Sequence, residues 1–432
     1  MHWVDLHNVE YGECIALGTG PRSMLMVDCG SLNTTIREGE RNFKDFATHS
    51  LTARYSGVPH RAFLLTHYHR DHSCGLWDIL DARPDYFEEL YLPCSPCDER
   101  GLPLLLEFAL FAYVFLPRQG FCGQVSTGAL KAFSRVLRQT RQGTAYALGQ
   151  GDTFVSGDVT YECLWPPRQD FPFEDRFVDA VERLHLCVES PYQPGAYLLR
   201  QFLDLLYEFC NLYVEFCTKF PVSSADASRT LAVLNRIDDL APSLWRLPAA
   251  VDVRAILESQ SVREAYSNQV NAASIVFQNC RDTEDATDDI LMTGDATPET
   301  IAAVEPLLYH DYYILKAPHH GTASAVSLVL TGLSAAHVLI SCGEDPGGTR
   351  QIAADWAAMP AMKHCTGGSC AFLEESGCCC TRTAVCWDSG GGGLAGGLAL
   401  RCPGNRSGEI PCGIRVVGTA EYGCICDTGA QE

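Results

Sequence analysis

The chain has 432 residues, enough for two or three ordinary domains or for one large α/β domain with an insertion. Asp and Glu outnumber Lys and Arg by 53 to 32, and the net charge of -21 disfavours nonspecific attraction to nucleic-acid phosphates or anionic membranes. No basic stretch followed by an apolar core stands at the N-terminus, so we expect a cytoplasmic protein with no secretory signal and no membrane role.

The first strand-rich region covers residues 1–167. Its first 30 residues alternate apolar segments with glycine turns, which predicts a strand meander. The run from 104 to 116 contains Glu107 and is too short to span a bilayer, so we expect a buried helix. The other predicted elements are a helix over 43–54, a strand over 61–66, a helix over 74–81, a strand over 86–92 and short strands between 144 and 165.

A different pattern begins after this region. Long apolar periodicity with little turn chemistry predicts a helical insertion over 168–268, which could act as a lid that restricts substrate size or as a surface for a protein partner. Strands are predicted again over 273–278, 290–293, 312–316 and 337–341. We therefore predict an α/β protein in which 1–167 and 269–345 are two halves of one sandwich, interrupted by the helices. Residues 346–432 accumulate Gly and Cys and form a C-terminal region without an assigned fold.

The chain contains 22 Cys residues, and their spacing lacks the regularity of a small disulfide framework. We expect most of them to be reduced thiols. Cys94 with Cys97, and Cys424 with Cys426, could each be half of a structural zinc site, but neither pair has a cleanly spaced partner pair. A Cys-bound metal is therefore the weaker alternative.

A cluster of imidazoles and a carboxylate directly follows the strand predicted over 61–66. It reads His67-Tyr68-His69-Arg70-Asp71-His72. Imidazoles spaced i, i+2 on an extended chain can turn onto one ion, and Asp71 and His72 lie just past the bend, where they can reach a second ion. Nitrogen with carboxylate oxygen favours zinc, with manganese or iron as alternatives. A His-rich surface loop is the competing interpretation, and the preceding apolar strand disfavours it.

Further polar groups follow strands predicted later in the chain. Asp295 ends an apolar strand after a glycine, where a carboxylate can bridge two cations; a solvated turn Asp is the alternative. His319 and His320 also follow a strand, and a pair of core histidines is the alternative. Lys316, at the end of that strand, either faces phosphate oxygens or extends its ammonium to solvent at the sheet edge.

In combination these motifs resemble the metallo-β-lactamase superfamily, and their order is most similar to the hydrolase domain of ComEC-type DNA-uptake proteins and related phosphodiesterases. The resemblance covers about 1–167 and 269–345 and implies an αββα sandwich with metal ligands on loops at one edge. The matching segments are Val9-Glu10-Tyr11-Gly12-Glu13-Cys14, Val27-Asp28-Cys29-Gly30, the HxHxDH run at 67–72, Asn271-Ala272-Ala273-Ser274, Leu291-Met292-Thr293-Gly294-Asp295 and Leu315-Lys316-Ala317-Pro318-His319-His320-Gly321.

The resemblance also implies roles for individual residues at a site with two divalent metal ions. The implied metal ligands are His67, His69, Asp71, His72, Asp295 and His320. The implied catalytic residues are Asp71, His319 and Lys316, with His319 near the substrate as hydrogen-bond donor or acid. Asp28 would hold the His loop through hydrogen bonds, with a simple strand-end turn as the alternative. Asn271 and Ser274 either contact substrate or cap the start of a strand.

One departure from the family pattern concerns the first metal ion. The family usually supplies a further His between the HxHxDH run and the bridging Asp, but the interval here contains only His185, inside the helical insertion. Trp165 stands where relatives often carry a His before Pro. A lone His on a helix is more often structural than a ligand, so we expect the protein to hold the first ion through His67, His69 and Asp295 alone.

From these features we predict a metal-dependent hydrolase, phosphodiesterase-like or nuclease-like, with a metal-bound hydroxide as nucleophile at a dinuclear, preferably zinc, site. The substrate would be a phosphodiester or another small hydrolysable molecule, and any nucleic acid would bind without strong nonspecific affinity. Hydrolysis of a thioester, lactone or lactam on the same fold is the alternative within enzymes. The alternative outside that class is a weakly catalytic module that binds a protein partner through the helical insertion.

Overall fold

The computed structural model describes residues 3–36, 41–116, 130, 144–218, 224–281, 289–343, 352–366 and 414–417. The strands are β1 (Trp3–His7), β2 (Cys14–Gly20), β3 (Ser23–Cys29), β4 (Thr35–Ile36), β5 (Arg41–Asn42), β6 (His60–Leu64), β7 (Glu89–Pro93), β8 (Thr144–Leu148), β9 (Thr153–Ser156), β10 (Val159–Trp165), β11 (Val276–Asn279), β12 (Ile290–Met292), β13 (Asp311–Lys316), β14 (Ser334–Ile340), β15 (Met362–Cys365) and β16 (Ile414–Val417). The protein is mixed α/β, which confirms the predicted class.

The α-helices connect these strands and form one larger group in the middle of the chain. They are α1 (Phe43–Asp45), α2 (Thr52–Arg54), α3 (Arg70–Ala82), α4 (Leu104–Phe115), α5 (Asp175–Glu189), α6 (Ala196–Thr218), α7 (Ser224–Leu244), α8 (Ala249–Leu257), α9 (Gln260–Ala272), α10 (Pro298–Val304), α11 (Leu328–Gly332) and α12 (Ala354–Ala358). A π-helical segment, Phe46–Leu51, joins α1 to α2, so the helix predicted over 43–54 is present in three pieces.

Most strands belong to two seven-stranded sheets. The first sheet has the order β16-β1-β2-β3-β6-β7-β8 and contains the predicted meander as three antiparallel strands, followed by parallel neighbours. The second sheet has the order β15-β14-β13-β12-β11-β10-β9, antiparallel from β9 to β12 and parallel from β12 to β15. β15 and β16 lie in the predicted C-terminal region, so that region contributes a strand to each sheet.

The two sheets pack against each other. Successive side chains on a strand point to opposite faces, and β3 shows the consequence. Leu25 and Val27 join an apolar cluster shared with strands of the second sheet, whereas Met24 and Met26 join the other apolar cluster, which includes helical residues. β6 repeats this pattern, with Leu64 in the cluster shared by the sheets and Phe63 in the other. Burial on both faces explains the apolar runs Met24–Val27 in β3 and Ala62–Leu64 in β6.

The helices α4 to α9, called here the helical layer, pack together and against the first sheet through contacts such as α6 with β8. α4 is buried along nearly all its length, as predicted for the apolar run at 104–116. α9 continues through residue 272, past the predicted end of the insertion at 268, and the strand predicted from 273 begins at Val276. None of the helices in the described part of the chain is long and apolar enough to cross a bilayer.

Candidate metal centre

Side chains at the ends of several strands converge on one buried site. β6 ends at Leu64, and the chain then passes through His67 to α3, whose first turn carries Asp71 and His72. Asp295 follows β12, and His320 follows β13, its parallel neighbour in the second sheet. Because the carboxyl ends of parallel strands meet at one edge of a sheet, residues far apart in sequence come together here.

The ligand-type atoms lie close to one another. His72 Nε2 is 3.2 Å from Asp295 Oδ1, and His67 Nε2 is 3.9 Å from Asp295 Oδ2. His320 Nε2 is 3.5 Å from Asp71 Oδ2 and 3.8 Å from Asp295 Oδ2. These contacts define two groups that could each hold an ion: His67, His72 and Asp295; and Asp71, His72 and His320.

This arrangement fits divalent cations. A tetrahedral zinc ion with bonds of about 2.0–2.1 Å keeps its ligand atoms about 3.3 Å apart, close to the observed separations. His72 Nε2, Asp295 Oδ1 and His320 Nε2 are buried and have no hydrogen-bond partner among the described residues. A buried polar atom without a partner is costly. Three such atoms facing one another therefore indicate a site shaped for a positive ion.

The second imidazole of the motif, His69, lies beside these groups rather than within them. Its Nδ1 is 3.1 Å from His67 Nε2, the separation expected for two ligands of one ion. Its Nε2 is 3.2 Å from Ser267 Oγ on α9. Asn271, in the last turn of α9, also interacts with His69 through its side chain. Asn271 thus belongs to a helix that contacts the centre, not to the start of a strand.

A hydrogen-bond network behind the motif holds its shape. Asp28 accepts bonds from the Thr66 backbone N–H and hydroxyl, both at 2.7 Å, and its Oδ2 lies 2.8 Å from His72 Nδ1. These contacts fix the direction of the His72 ring, the role predicted for Asp28. Gly30 allows the loop to close, because a Cβ there would lie 2.4 Å from the Asp71 carbonyl carbon.

Unusual backbone conformations cluster at the same place. Asp28, His319 and His320 have φ values of 56°, 48° and 58°, in the left-handed region that non-glycine residues rarely adopt. Each costs about 1–3 kcal/mol and persists only where the surrounding structure enforces it, and such residues concentrate at functional sites. Gly294, with φ 52°, precedes Asp295 and would bring a Cβ within 2.9 Å of Thr66. The turns that present the ligands are therefore held against local preference.

Lys316 does not extend to solvent. It is 2% exposed, lies 2.9 Å from Glu13 Oε2 and donates a hydrogen bond to the Gly294 carbonyl at 2.7 Å. Ser341 donates to the other Glu13 oxygen at 2.8 Å. The ammonium thus has two protein partners beneath the centre, a geometry that favours a supporting role over the predicted catalytic one.

His319 is the more open of the paired histidines. Its side chain is 22% exposed and its Nε2 lies 3.8 Å from Asp295 Oδ2, whereas His320 is fully buried, with Nδ1 2.8 Å from the Ser341 carbonyl oxygen. This carbonyl directs the other nitrogen of His320 towards Asp71 and Asp295. His320 therefore belongs to one of the two groups that could hold an ion, and His319 lies at the more accessible side.

Electrostatics in the centre are set by burial and by close opposite charges. Burial lowers the pKa of His67 well below its ordinary value, and the neighbouring His72 lowers it further. Burial also opposes charge on His72, but the carboxylates of Asp295 and Asp28 raise its pKa well above the ordinary value. Burial opposes charge on Asp295, but the imidazoles of His72 and His320 hold its pKa well below the usual range. The Asp295 carboxylate is therefore ionised, as metal binding requires.

Other residues considered from sequence lie outside this arrangement. His185 Nε2 is 3.5 Å from Glu107 Oε2 in the helical layer, and His185 is in neither ligand group. Trp165 donates its indole N–H to the Ala272 carbonyl at 2.6 Å. Cys94 and Cys97 are free thiols, and no group of three ligands in the described ranges includes a Cys. Cys424 and Cys426 lie outside the described residues.

Several supporting residues were not predicted as site residues. They are Glu13, Thr66, Ser267 and Ser341. Glu13 stands in the motif at 9–14, so its carboxylate next to a turn was a usable signal. Thr66, Ser267 and Ser341 are common residue types in ordinary positions, and only their contacts identify them.

Comparison with known proteins gives no relative for this chain: no family model, curated protein or solved structure matches it.

Proposed function

We propose that this protein is a metal-dependent hydrolase that uses two divalent ions, preferably zinc, on a metallo-β-lactamase-like αββα sandwich. The observation that carries the proposal is the convergence of buried imidazole nitrogens and carboxylate oxygens whose facing atoms have no other partner. Two sheets that share a core, with helices against the outer faces, support the proposed fold.

The residues divide between two ions as follows. His67 and His69 would hold one ion, Asp71, His72 and His320 the other, and Asp295, which approaches both His67 and His320, would bridge them. Ions held there would supply an acidified water as nucleophile and would stabilise negative charge on the attacked group. The protein would need no Ser or Cys nucleophile.

His319 has the position of a proton donor. Its imidazole is partly exposed and lies 3.8 Å from Asp295, so its ring can reach a leaving group that enters from solvent. Lys316 and Glu13 compensate each other's charge beneath Asp295 and keep that carboxylate in position.

The preferred substrate class is a phosphodiester, because two cations can neutralise a scissile phosphate locally even though the chain carries a net charge of -21. A second candidate is hydrolysis of a small neutral ester, thioester or lactone. It is favoured by an apolar cavity beside His67 whose lining includes no Lys or Arg.

The test combines metal analysis with hydrolysis assays. Full-length protein purified without chelator is expected to contain close to two metal ions per chain and to hydrolyse bis-(p-nitrophenyl)phosphate, single-stranded DNA or p-nitrophenyl esters. The double variant His69→Ala/Asp71→Ala is expected to lose both metal and turnover. The control His60→Ala/Asp85→Ala removes the same side-chain types from exposed positions. Equal turnover by wild type and the His69/Asp71 variant would refute the proposal.

A further inference from the structure

An apolar cavity lies between the metal centre and the helical layer. Its volume is ≈ 40 Å³, and His67, a proposed ligand, forms part of its wall. Its lining also includes Leu106 on α4, Tyr266 and Val270 on α9, and Ala273, which directly follows α9. The cavity is therefore lined both by a residue of the proposed metal site and by residues of the helical layer, to which the metal motifs assign no role.

The chemistry of the cavity wall limits what can enter. Apart from His67, its lining contains no residue that carries charge near neutral pH. The hydroxyls of Tyr68 and Tyr213 interact with each other, and Tyr213 also donates to the Pro93 carbonyl at 3.1 Å. The Ser95 hydroxyl oxygen is buried and has no hydrogen-bond partner among the described residues. The wall is thus apolar with one spare hydrogen-bonding group, the usual composition of a small-molecule pocket.

The size of the cavity further restricts the class of ligand that can bind in it. One water molecule needs about 10–15 Å³ of such volume, so the cavity has room for about three or four non-hydrogen atoms. A short alkyl chain fits this space, whereas a nucleobase and its sugar do not. A phosphate group would be left without a cationic partner inside it.

We propose that this cavity is a substrate subsite that receives a short, neutral, apolar arm next to the bond that is hydrolysed. The inference rests on the proposed function, because the cavity is a substrate subsite only if His67 belongs to a hydrolytic centre. It specifies the substrate class: a small molecule with a compact aliphatic group, selected by residues of the helical layer.

The experiment measures binding separately from hydrolysis. The probes are the unbranched amides from acetamide to hexanamide, which are neutral and carry one hydrogen-bonding group. Ligand-observed NMR gives their affinities for the full-length protein, with and without added zinc. Affinity is expected to rise about fourfold per methylene, and to stop rising at butyramide or valeramide, where the cavity is full. The best amide is also expected to inhibit hydrolysis competitively.

Variants of the lining residues test whether the amides bind in this cavity. Val270→Phe and Ala273→Leu fill the cavity, and each is expected to weaken butyramide binding at least tenfold. Leu106→Ala enlarges it and is expected to move the optimum to a longer amide, which a merely misfolded variant would not do. Ser95→Ala is expected to weaken amide binding by about threefold to tenfold. Ala255→Leu, an exposed position on α8, is the matched control for Ala273→Leu.

Different failures have different meanings. Affinity that does not depend on chain length, or that the filling variants leave unchanged, overturns the subsite while hydrolysis can still be present. Amide binding that does not inhibit hydrolysis overturns its assignment to the substrate. Absence of metal and of hydrolysis refutes the proposed function instead, and the amide affinities can still be read in that case.

Discussion

The metal centre and the helical layer both bury ionisable groups, but in different ways. In the centre, ligand-type atoms of His72, Asp295 and His320 that have no hydrogen-bond partner among the described residues face one another. In the helical layer, Glu107 is fully buried, neither of its carboxylate oxygens has a hydrogen-bond partner in the described part of the chain, and its Oε2 lies 3.5 Å from His185 Nε2. The centre brings several imidazole nitrogens and carboxylate oxygens to one point, where a cation can compensate them. Glu107 instead has one ion-pair neighbour within the described ranges, His185. Buried charge alone does not identify a metal site; convergence of ligand atoms does.

The largest effect is expected at the bridging carboxylate. Asp295→Asn removes a charge that approaches His67, His72 and His320, so metal content should fall and hydrolysis should fall by more than about 100-fold, since even residues behind the ligands change activity by about 10–100-fold. Elemental analysis and hydrolysis assays measure both. Asp85→Asn, at an exposed position, is the control. Full metal content in Asp295→Asn would mean that Asp295 is not a ligand.

The next effect concerns the ion pair beneath the centre. Lys316→Met leaves the buried Glu13 carboxylate without its cation, which should lower the free energy of unfolding by about 3–5 kcal/mol. The double variant Glu13→Gln/Lys316→Met should be less destabilised than the sum of the single variants, because it leaves no unpaired charge. Urea unfolding of the wild type, both single variants and the double variant provides the measurement. Additive losses would show that the two groups do not act as a pair.

A smaller effect is expected behind the ligands. Asp28→Asn replaces the acceptor that orients His72, so metal affinity should fall by about 10–100-fold. Competition with a chromophoric chelator measures this affinity. Thr66→Val removes one of the two bonds that Thr66 donates to Asp28, and a loss smaller than that of Asp28→Asn is expected. If Thr66→Val weakened metal binding more than Asp28→Asn, the proposal that Asp28 orients His72 and that Thr66 only supports Asp28 would be wrong.

The sequence was most informative where the chain itself sets the geometry. His67 and His69 lie two residues apart on extended chain, and Asp71 and His72 occupy the first turn of the following helix, so their proximity is local. Asp295 and His320 could also be placed, because each follows an apolar strand and the carboxyl ends of parallel strands meet at one edge. Local geometry and one rule of sheet topology therefore account for the predicted ligands.

The remaining contacts depend on long-range packing that residue types do not reveal. Lys316 pairs with Glu13, which lies far away in the sequence, near the N-terminus. From the sequence, a lysine at a strand end is equally compatible with solvent exposure. Asn271 was placed before a strand, but α9 continues to residue 272 and brings its side chain to His69. β16 pairs with β1, although a Cys-rich and Gly-rich segment gives no sign of such a partner. These are tertiary effects, and periodicity cannot detect them.

The smallest effect is expected in the helical layer, and it tests the contrast between the two regions most directly. Glu107→Met/His185→Leu replaces both partners of this buried pair by apolar side chains, at the cost of the His185 contacts with Tyr207 and Glu189. Because replacing buried charges by apolar side chains is often neutral or stabilising, the free energy of unfolding should change by no more than about 1 kcal/mol or should increase. Urea unfolding measures this free energy, and elemental analysis should show unchanged metal content. A loss of metal would mean that the buried charges of the helical layer and of the centre form one network, and the distinction between converging and isolated charge would then fail.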